Sequence, residues 1–535
     1  MTIEERVNAL TIEEMVGQVL CYDIYGKDDP AEVEKTLKKI RPGGIFLKGT
    51  TAEQIKMYTE MVEKYASVPV IVAGEIEEGP DYTVKGAGNV PHLMAISAAN
   101  DPELVEQMGR EIGGICRKNG FHWPYAPVVD INYNFRSPES NIRTASDSPQ
   151  QVVKIAGALI RGIQHNRNMV ACCKHFPGCG VDERNGHFVT TINSLSKEEW
   201  MSTYGYVYKQ LIAEGVPSIM IGHVALPAYQ KEYDETYGWI SAVFSKSLIT
   251  DLLKGELGFD GCVVSDAMSM IGAAACVPDL KEIAVRFLNA GGDMVLFPEP
   301  TDYETILDAV QTGEIALERL KDAVTRVMRL KQKANLFRDF EVEAPIDDRA
   351  ALQATAQKLA DKSITIIRNK DGILPVQHVP GMRVLMVNIF EPYFQAPPTG
   401  DEFKTMREEL QKNGCMVDEL YSPKHKKIQE VMDSYDLIVM NCKMSSEDYH
   451  GATLRIGWNQ MMVFWRGYIL QHPKFVFASF GDPYKLFDAP YLKTYVNAYS
   501  YSDASQRAFV KVLLGQIEAQ GKSPVAFDGY FERGV

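Results

Sequence analysis

A chain of 535 residues with 45% hydrophobic and 24% charged residues has the balance of a soluble globular protein, which excludes disordered, collagen-like and coiled-coil chains. At about 150 residues per domain the length allows roughly two to four domains. Its 56 basic and 70 acidic residues leave a net charge of −14, which disfavours nucleic acid or an anionic membrane as the main partner.

The N-terminus, through Glu4, Glu5 and Arg6, has no basic region leading into an apolar stretch, and no apolar run reaches the roughly 18 residues of a membrane span. The nine cysteines build no disulfide framework, which suits a reducing cytosol, and the adjacent Cys172 and Cys173 read as buried thiols. A cytoplasmic protein without membrane attachment is expected.

Eight short apolar runs alternate with helix-like segments before residue 300: Val16 to Tyr22, Gly44 to Leu47, Val68 to Ala73, Trp123 to Val129, Met169 to Cys173, Ser218 to His223, Gly261 to Ser265 and Asp293 to Phe297. Most are rich in Val and Ile without polar alternation, as buried parallel strands with helical crossovers should be. Eight such strands predict a (β/α)8 TIM-type barrel. A helical segment from Tyr303 to Leu336 would close it, giving a first domain over 1–336, and Phe337 to Arg349, with Pro345, reads as a linker.

From Ala350 the alternation resumes, with strands expected near Ile364 to Arg368, Val384 to Ile389, Val417 to Leu420, Leu437 to Asn441, Phe475 to Ser479 and Tyr495 to Tyr499. This describes a smaller α/β sandwich domain over 350–535. Gly-x-Gly-x-x-Gly after a strand and a Gly-Lys-Ser phosphate loop are both missing, so no nucleotide cofactor is indicated, and Ser269 sits in no Gly-x-Ser-x-Gly elbow.

A barrel places chemistry where its strands end, and polar residues fall there. Glu75 follows the third run, Asp130 the fourth, Lys174 and His175 the fifth; His223 closes the sixth and Asp266 follows the seventh. One charged group at a buried strand end is explained by a structural pair, whereas several converging on one rim point to a site. After Lys174 and His175, Pro177, Gly178 and Gly180 break any helix and let a loop carrying Asp182, Glu183, Asn185 and His187 cross the rim. A carboxylate at Asp266 is costly at the end of a dry strand unless cations such as Lys174 or Arg143, or a developing positive charge on substrate, compensate. A carboxylate nucleophile with an imidazole acid and base suits displacement at an acetal carbon. A metal hydrolase is the competing reading, with His175, His187 and His223 as the ligands able to assemble.

Lys174-His-Phe-Pro-Gly178, Gly258-Phe-Asp-Gly to Ser265-Asp266, Ile219-Met-Ile-Gly-His-Val-Ala-Leu-Pro227 and Ser241-Ala-Val-Phe-Ser-Lys246, in this order, resemble glycoside hydrolase family 3. Ser363-Ile-Thr-Ile-Ile-Arg-Asn369 and Leu374-Pro375 extend the resemblance, more weakly, into the second domain. The β-N-acetylglucosaminidase branch is the most similar, because its long loop after Lys-His-Phe-Pro-Gly carries a catalytic Asp-x-His dyad. The resemblance implies Asp266 as nucleophile, His187 as general acid and base, and Lys174, His175 and Arg143 as holders of sugar hydroxyls. Glu75 stands where an aspartate usually binds hydroxyls, and Asn185 where the dyad's aspartate is expected. An amide can fix the imidazole tautomer but offers no charge to stabilise imidazolium, so Asp182 or Glu183 would have to compensate, or the acid comes from elsewhere.

The implied function is a retaining exo-β-glycosidase removing a terminal sugar, most simply N-acetylglucosamine, from a small saccharide or glycoconjugate without metal or organic cofactor. Three alternatives stay open: a β-glucosidase whose acid is Glu447 of the second domain, a phosphorylase, and a catalytically impaired sugar-binding protein. Trp123 is a candidate for stacking on a sugar face, though core packing explains a strand tryptophan as well.

Overall fold

The computed structural model describes residues 1–167, 169–390, 399–444 and 455–535. The chain divides into two compact units, and neither is contiguous. The first comprises Met1–Gly88, Val105–Ile131 and Val152–Leu352; the second comprises Asn89–Leu104, Asn132–Gln151 and Gln353–Val535. Two segments of the expected first domain, 1–336, thus fall within the second unit, with residues 353–535 of the expected second domain, 350–535.

Every one of the eight apolar runs overlaps a strand of the first unit. They are β1 (Leu20–Tyr25), β2 (Gly44–Lys48), β3 (Ile71–Gly74), β4 (Trp123–Pro124), β5 (Cys172–Phe176), β6 (Ser218–Ile221), β7 (Cys262–Ser265) and β8 (Val295–Leu296). All neighbours run parallel, in the order β8-β1-β2-β3-β4 in one sheet and β5-β6-β7 in another. Single parallel bridges join the two sheets at both seams, Val128 to Lys174 and Val264 to Met294. The strands therefore follow one another in cyclic order, the arrangement of a TIM-like barrel. Phe46, Ala73, Trp123, Tyr125, Cys172, Met220, Val264 and Met294 belong to one buried cluster from these strands.

Two expectations change for local reasons. Val16 to Gln18 are helical rather than extended: Thr11 caps a helix over Ile12–Gln18 in a capping box with Glu14, and β1 starts at Leu20. The regular strand at Trp123 stops at Pro124, because Pro124 and Pro127 have no N–H to give a ladder. The predicted helical stretch from Tyr303 is two helices, Asp302–Thr312 and Leu317–Lys333, separated at Gly313 with φ 82°. Residues 341–348 form no helix or strand, as a linker reading requires.

In the second unit six strands form one sheet. They are β9 (Thr365–Asn369), β10 (Arg383–Phe390), β11 (Met416–Tyr421), β12 (Leu437–Lys443), β13 (Phe475–Ser479) and β14 (Thr494–Asn497), in the order β9-β14-β13-β12-β10-β11, with only β9 antiparallel to its neighbour. Alternate residues feed two separate cores: Leu385, Val387, Ile438 and Met440 enter one, Val384, Met386, Leu437 and Val439 the other. A sheet apolar on both faces must be covered on both, which is the sandwich predicted from its strand pattern. Met94, Ala95, Ala98 and Ile142, from the two early segments, fill the first of these cores. Among the described residues no helix is long and apolar enough to cross a membrane. All nine cysteines are free and buried.

Candidate functional site

Asp266 leaves the last rung of β7. Its main-chain N–H donates to Ile221 O of β6 at 2.9 Å, and its Oδ1 accepts the following N–H, that of Ala267, at 2.7 Å. Burial alone would push this carboxyl up. His223 and His175, the Ala267 N–H and His187 together outweigh burial and hold it below the ordinary aspartate range. Lys174 and Arg143, the cations expected to compensate it, are not among these leading contributions.

Lys174 is spoken for by other groups. Its buried ammonium lies 3.3 Å from Glu75 Oε1 and 2.6 Å from Glu77 Oε1. Both glutamates follow β3, and Glu75 is anchored by its carbonyl, which accepts the Thr83 hydroxyl. Sequence reasoning passed over Glu77; its only signal was the density of acids in Glu75-Ile-Glu-Glu78.

His175 is held by Asp130, which is wholly buried. The imidazole Nδ1 lies 2.7 Å from Asp130 Oδ2, and Cys179 N–H donates to Asp130 Oδ1 at 2.7 Å. Asp130, His175 and Cys179 bring three metal-type ligand atoms within 4.8 Å of one another. Hydrogen bonds already occupy both carboxylate oxygens, and the imidazole nitrogen facing them is a donor, so this trio is arranged as a hydrogen-bonded group. His175, His187 and His223 do not form a ligand set among the described residues. His223 instead donates from Nε2 to Ala267 O at 3.0 Å.

The loop after β5 is pinned along its length. Tyr204 packs under Gly178, where φ is 120° and an added Cβ would fall 2.2 Å from the ring. The Trp200 indole donates to Pro177 O at 2.8 Å, and Asn193 donates to Gly178 O at 3.0 Å. Farther on, Asn185 is buried and its Oδ1 lies 2.8 Å from both the main-chain N and the Nδ1 of His187. A main-chain N–H only donates, so the amide must present its oxygen, and the imidazole nitrogen sharing that oxygen must also carry a proton. His187 is thereby fixed as the Nδ1–H tautomer, with Nε2 left as its second nitrogen.

The same loop docks on the segment that follows Asp266. Ile271 N–H donates to His187 O at 3.1 Å, and the Thr190 hydroxyl donates to Gly272 O at 2.8 Å. Gly272 makes this approach possible, since an added Cβ would lie 2.0 Å from Gly186 O. Asp182, expected as a compensating acid, is engaged by Arg184 at 2.6 Å and by the Ile192 N–H at 2.8 Å; Glu183 is exposed.

Arg143 belongs to the second unit, on a short turn over Asn141–Arg143, where its guanidinium donates to Glu139 O at 3.0 Å. Trp123 is buried, donates to Ser218 Oγ at 2.7 Å and packs edge-on against Tyr125, so it is a core residue and not a sugar platform. Glu447 lies outside the described residues.

Residues 2–330 match the glycosyl hydrolase family 3 N-terminal domain. The chain is 31% identical over 548 residues to a β-N-acetylglucosaminidase/β-glucosidase of Cellulomonas fimi, spanning 97% of this chain and 94% of that protein. A β-hexosaminidase of Methylobacillus flagellatus is 28% identical over 52% of this chain and 80% of its own. Among solved structures, the β-glucoside phosphorylase BglX bound to 2FGlc superposes with a TM-score of 0.87 at 27% identity, covering 98% of this chain and 96% of that one. A family 3 β-N-acetylglucosaminidase from Paenibacillus sp. str. FPU-7 shares the fold with a TM-score of 0.82 at 24% identity, over 98% and 100% of the two chains. The chain belongs to glycosyl hydrolase family 3 and is a glycoside hydrolase.

Proposed function

We propose that this protein is a retaining exo-β-glycosidase that releases a terminal N-acetylglucosamine or glucose by double displacement, on a (β/α)8 barrel with an α/β sandwich as its second domain. One observation carries the reading: Asp266 stays ionised at the end of a buried strand, ringed by imidazoles, in a chain whose 31%-identical relative is a β-N-acetylglucosaminidase/β-glucosidase. Oδ1 of Asp266 is held by the Ala267 N–H, so Oδ2 is the oxygen placed to attack the anomeric carbon. As the glycosidic bond breaks, the leaving oxygen takes a proton from Nε2 of His187 in its doubly protonated, imidazolium form, which leaves the Nδ1–H tautomer. In the second half-reaction the same nitrogen removes a proton from water, whose oxygen displaces Asp266. Lys174, His175 and Glu75 serve as hydroxyl-binding groups, and no cofactor is invoked.

A second reading concerns the acceptor. Asn185 supplies His187 with a neutral partner, which repels an anion less than aspartate would, and a structural relative at 27% identity is a β-glucoside phosphorylase. Phosphate in place of water would yield the sugar 1-phosphate.

Release of a chromogenic aglycone from β-N-acetylglucosaminide and β-glucoside, with and without inorganic phosphate, tests both. Turnover that Asp266→Ala abolishes supports the glycosidase, and sugar 1-phosphate in the product supports phosphorolysis. Sugar binding without turnover on either substrate would instead favour an impaired binding protein.

A further inference from the structure

Both carboxylate oxygens of Asp130 are engaged by the site's own scaffold. Its Oδ2 receives the His175 imidazole at 2.7 Å, its Oδ1 receives the Cys179 main-chain N–H at 2.7 Å, and the His175 main-chain N–H lies 3.3 Å from both oxygens. The aspartate is wholly buried at the exit of β4, and the His175 side chain is only 6% exposed. A carboxylate withdrawn this far from water is costly unless its donors have one required arrangement. Two of them are main-chain N–H groups that cannot reverse, so the third, Nδ1, is obliged to donate as well.

We propose that Asp130 is the positioning residue of this site: it locks His175 in its Nδ1–H form, so that Nε2 is the nitrogen available to a sugar hydroxyl, and through Cys179 it sets the start of the loop that carries His187. The proposal rests on the saccharide reading above. Hydroxyl recognition by His175 then depends on a residue that itself never meets the sugar, much as the orienting carboxylate of a catalytic triad acts only through its histidine.

Asp130→Asn is the discriminating substitution. Its amide oxygen would stay on the two main-chain donors, and its NH2 group would confront Nδ1, which must then accept; the proton moves to Nε2. Imidazole 15N shifts in the full-length protein labelled at histidine, with the His175 signal identified by its loss in His175→Gln, read the tautomer directly and without turnover. The expected result is a protonated Nδ1 in the unsubstituted protein and a protonated Nε2 in Asp130→Asn. kcat/KM on the chromogenic glycoside should fall on the order of 100-fold while the unfolding midpoint moves by a few degrees. In the His175→Gln background the same substitution should cost less than about threefold, because the residue it acts through is gone.

An Nδ1 without a proton in the unsubstituted protein overturns the proposal, even if the variant does not fold. So does a loss of equal size in both backgrounds, which marks a merely structural aspartate. Failure of the protein to cleave any glycoside sinks the saccharide reading alone, since the tautomer is still measured.

Discussion

Asn185 and Asp130 apply one device to two histidines: an oxygen pinned by main-chain N–H groups receives an imidazole Nδ1–H, once from a neutral amide and once from a carboxylate. The neutral version orients His187 without stabilising its imidazolium. Asn185→Asp should therefore raise kcat for hydrolysis by at least about tenfold if His187 is the acid, and the ratio of phosphorolysis to hydrolysis should fall, both measured on the chromogenic glycoside. No change in kcat would move the acid elsewhere. For Asp266 the sign of the pH effect follows from its lowered value. Its ionised form is favoured in the folded protein, so its contribution to stability is present above the ordinary aspartate value and is lost only as pH falls through the lower, folded-state one. The acid limb of kcat/KM should accordingly lie below the ordinary aspartate range, and a limb well above it would contradict this environment. Asp266, His187 and Asn185 were picked out in the sequence as candidates because each lies in a local motif. Glu77 was not, because its meaning depends on Lys174, far along the chain, arriving within 2.6 Å.

Among the elements, the contact between the His187 loop and the segment after Asp266 is the one on which the proposed acid and nucleophile jointly depend. Gly272→Ala would set a methyl 2.0 Å from Gly186 O, a main-chain atom that cannot swing aside. The loop must lift, and a misplacement of about 1 Å at a proton donor costs about 100-fold in rate. The expected outcome is a fall of that order in kcat with a smaller change in KM, and an unfolding midpoint within a few degrees of the parent. Strands were readable where side-chain pattern alone decides: β3, β6 and β7 are unbroken runs of buried residues, and β2 is one as far as Leu47. The pattern misled where backbone chemistry intervenes. Apolar Val16 continues a helix started by Thr11, two prolines cut β4 short, and Gly313 divides the last helical stretch.

At the scale of the molecule, Lys331 is a buried amine that donates to Gln18 Oε1 at 2.6 Å. Burial lowers its value to about 7, Cys21 opposing only in part. Folding thus favours the neutral amine, so stability from this group is smallest below about pH 7 and rises as pH climbs toward the ordinary lysine value of 10.5. Lys331→Met alone strands a buried acceptor on Gln18 and should lower the unfolding midpoint by a few degrees. Pairing it with Gln18→Leu should recover the loss or exceed it, with the gain over the parent larger at pH 6 than at pH 9 in thermal melts.

The second unit was legible as an α/β sandwich but not as a discontinuous one, because nothing in the apolar pattern of 89–104 or 132–151 says which core it joins. Met94, Ala95, Ala98 and Ile142 join the core built on β10 and β12, on the far side of the linker in sequence. A nick between residues 341 and 348 would consequently leave both halves defective: the N-terminal fragment with greasy stubs bared to water, the C-terminal fragment with a hollow where those four side chains had been. Limited proteolysis there should yield pieces that stay associated under native conditions, and either piece produced alone should precipitate until the other is supplied.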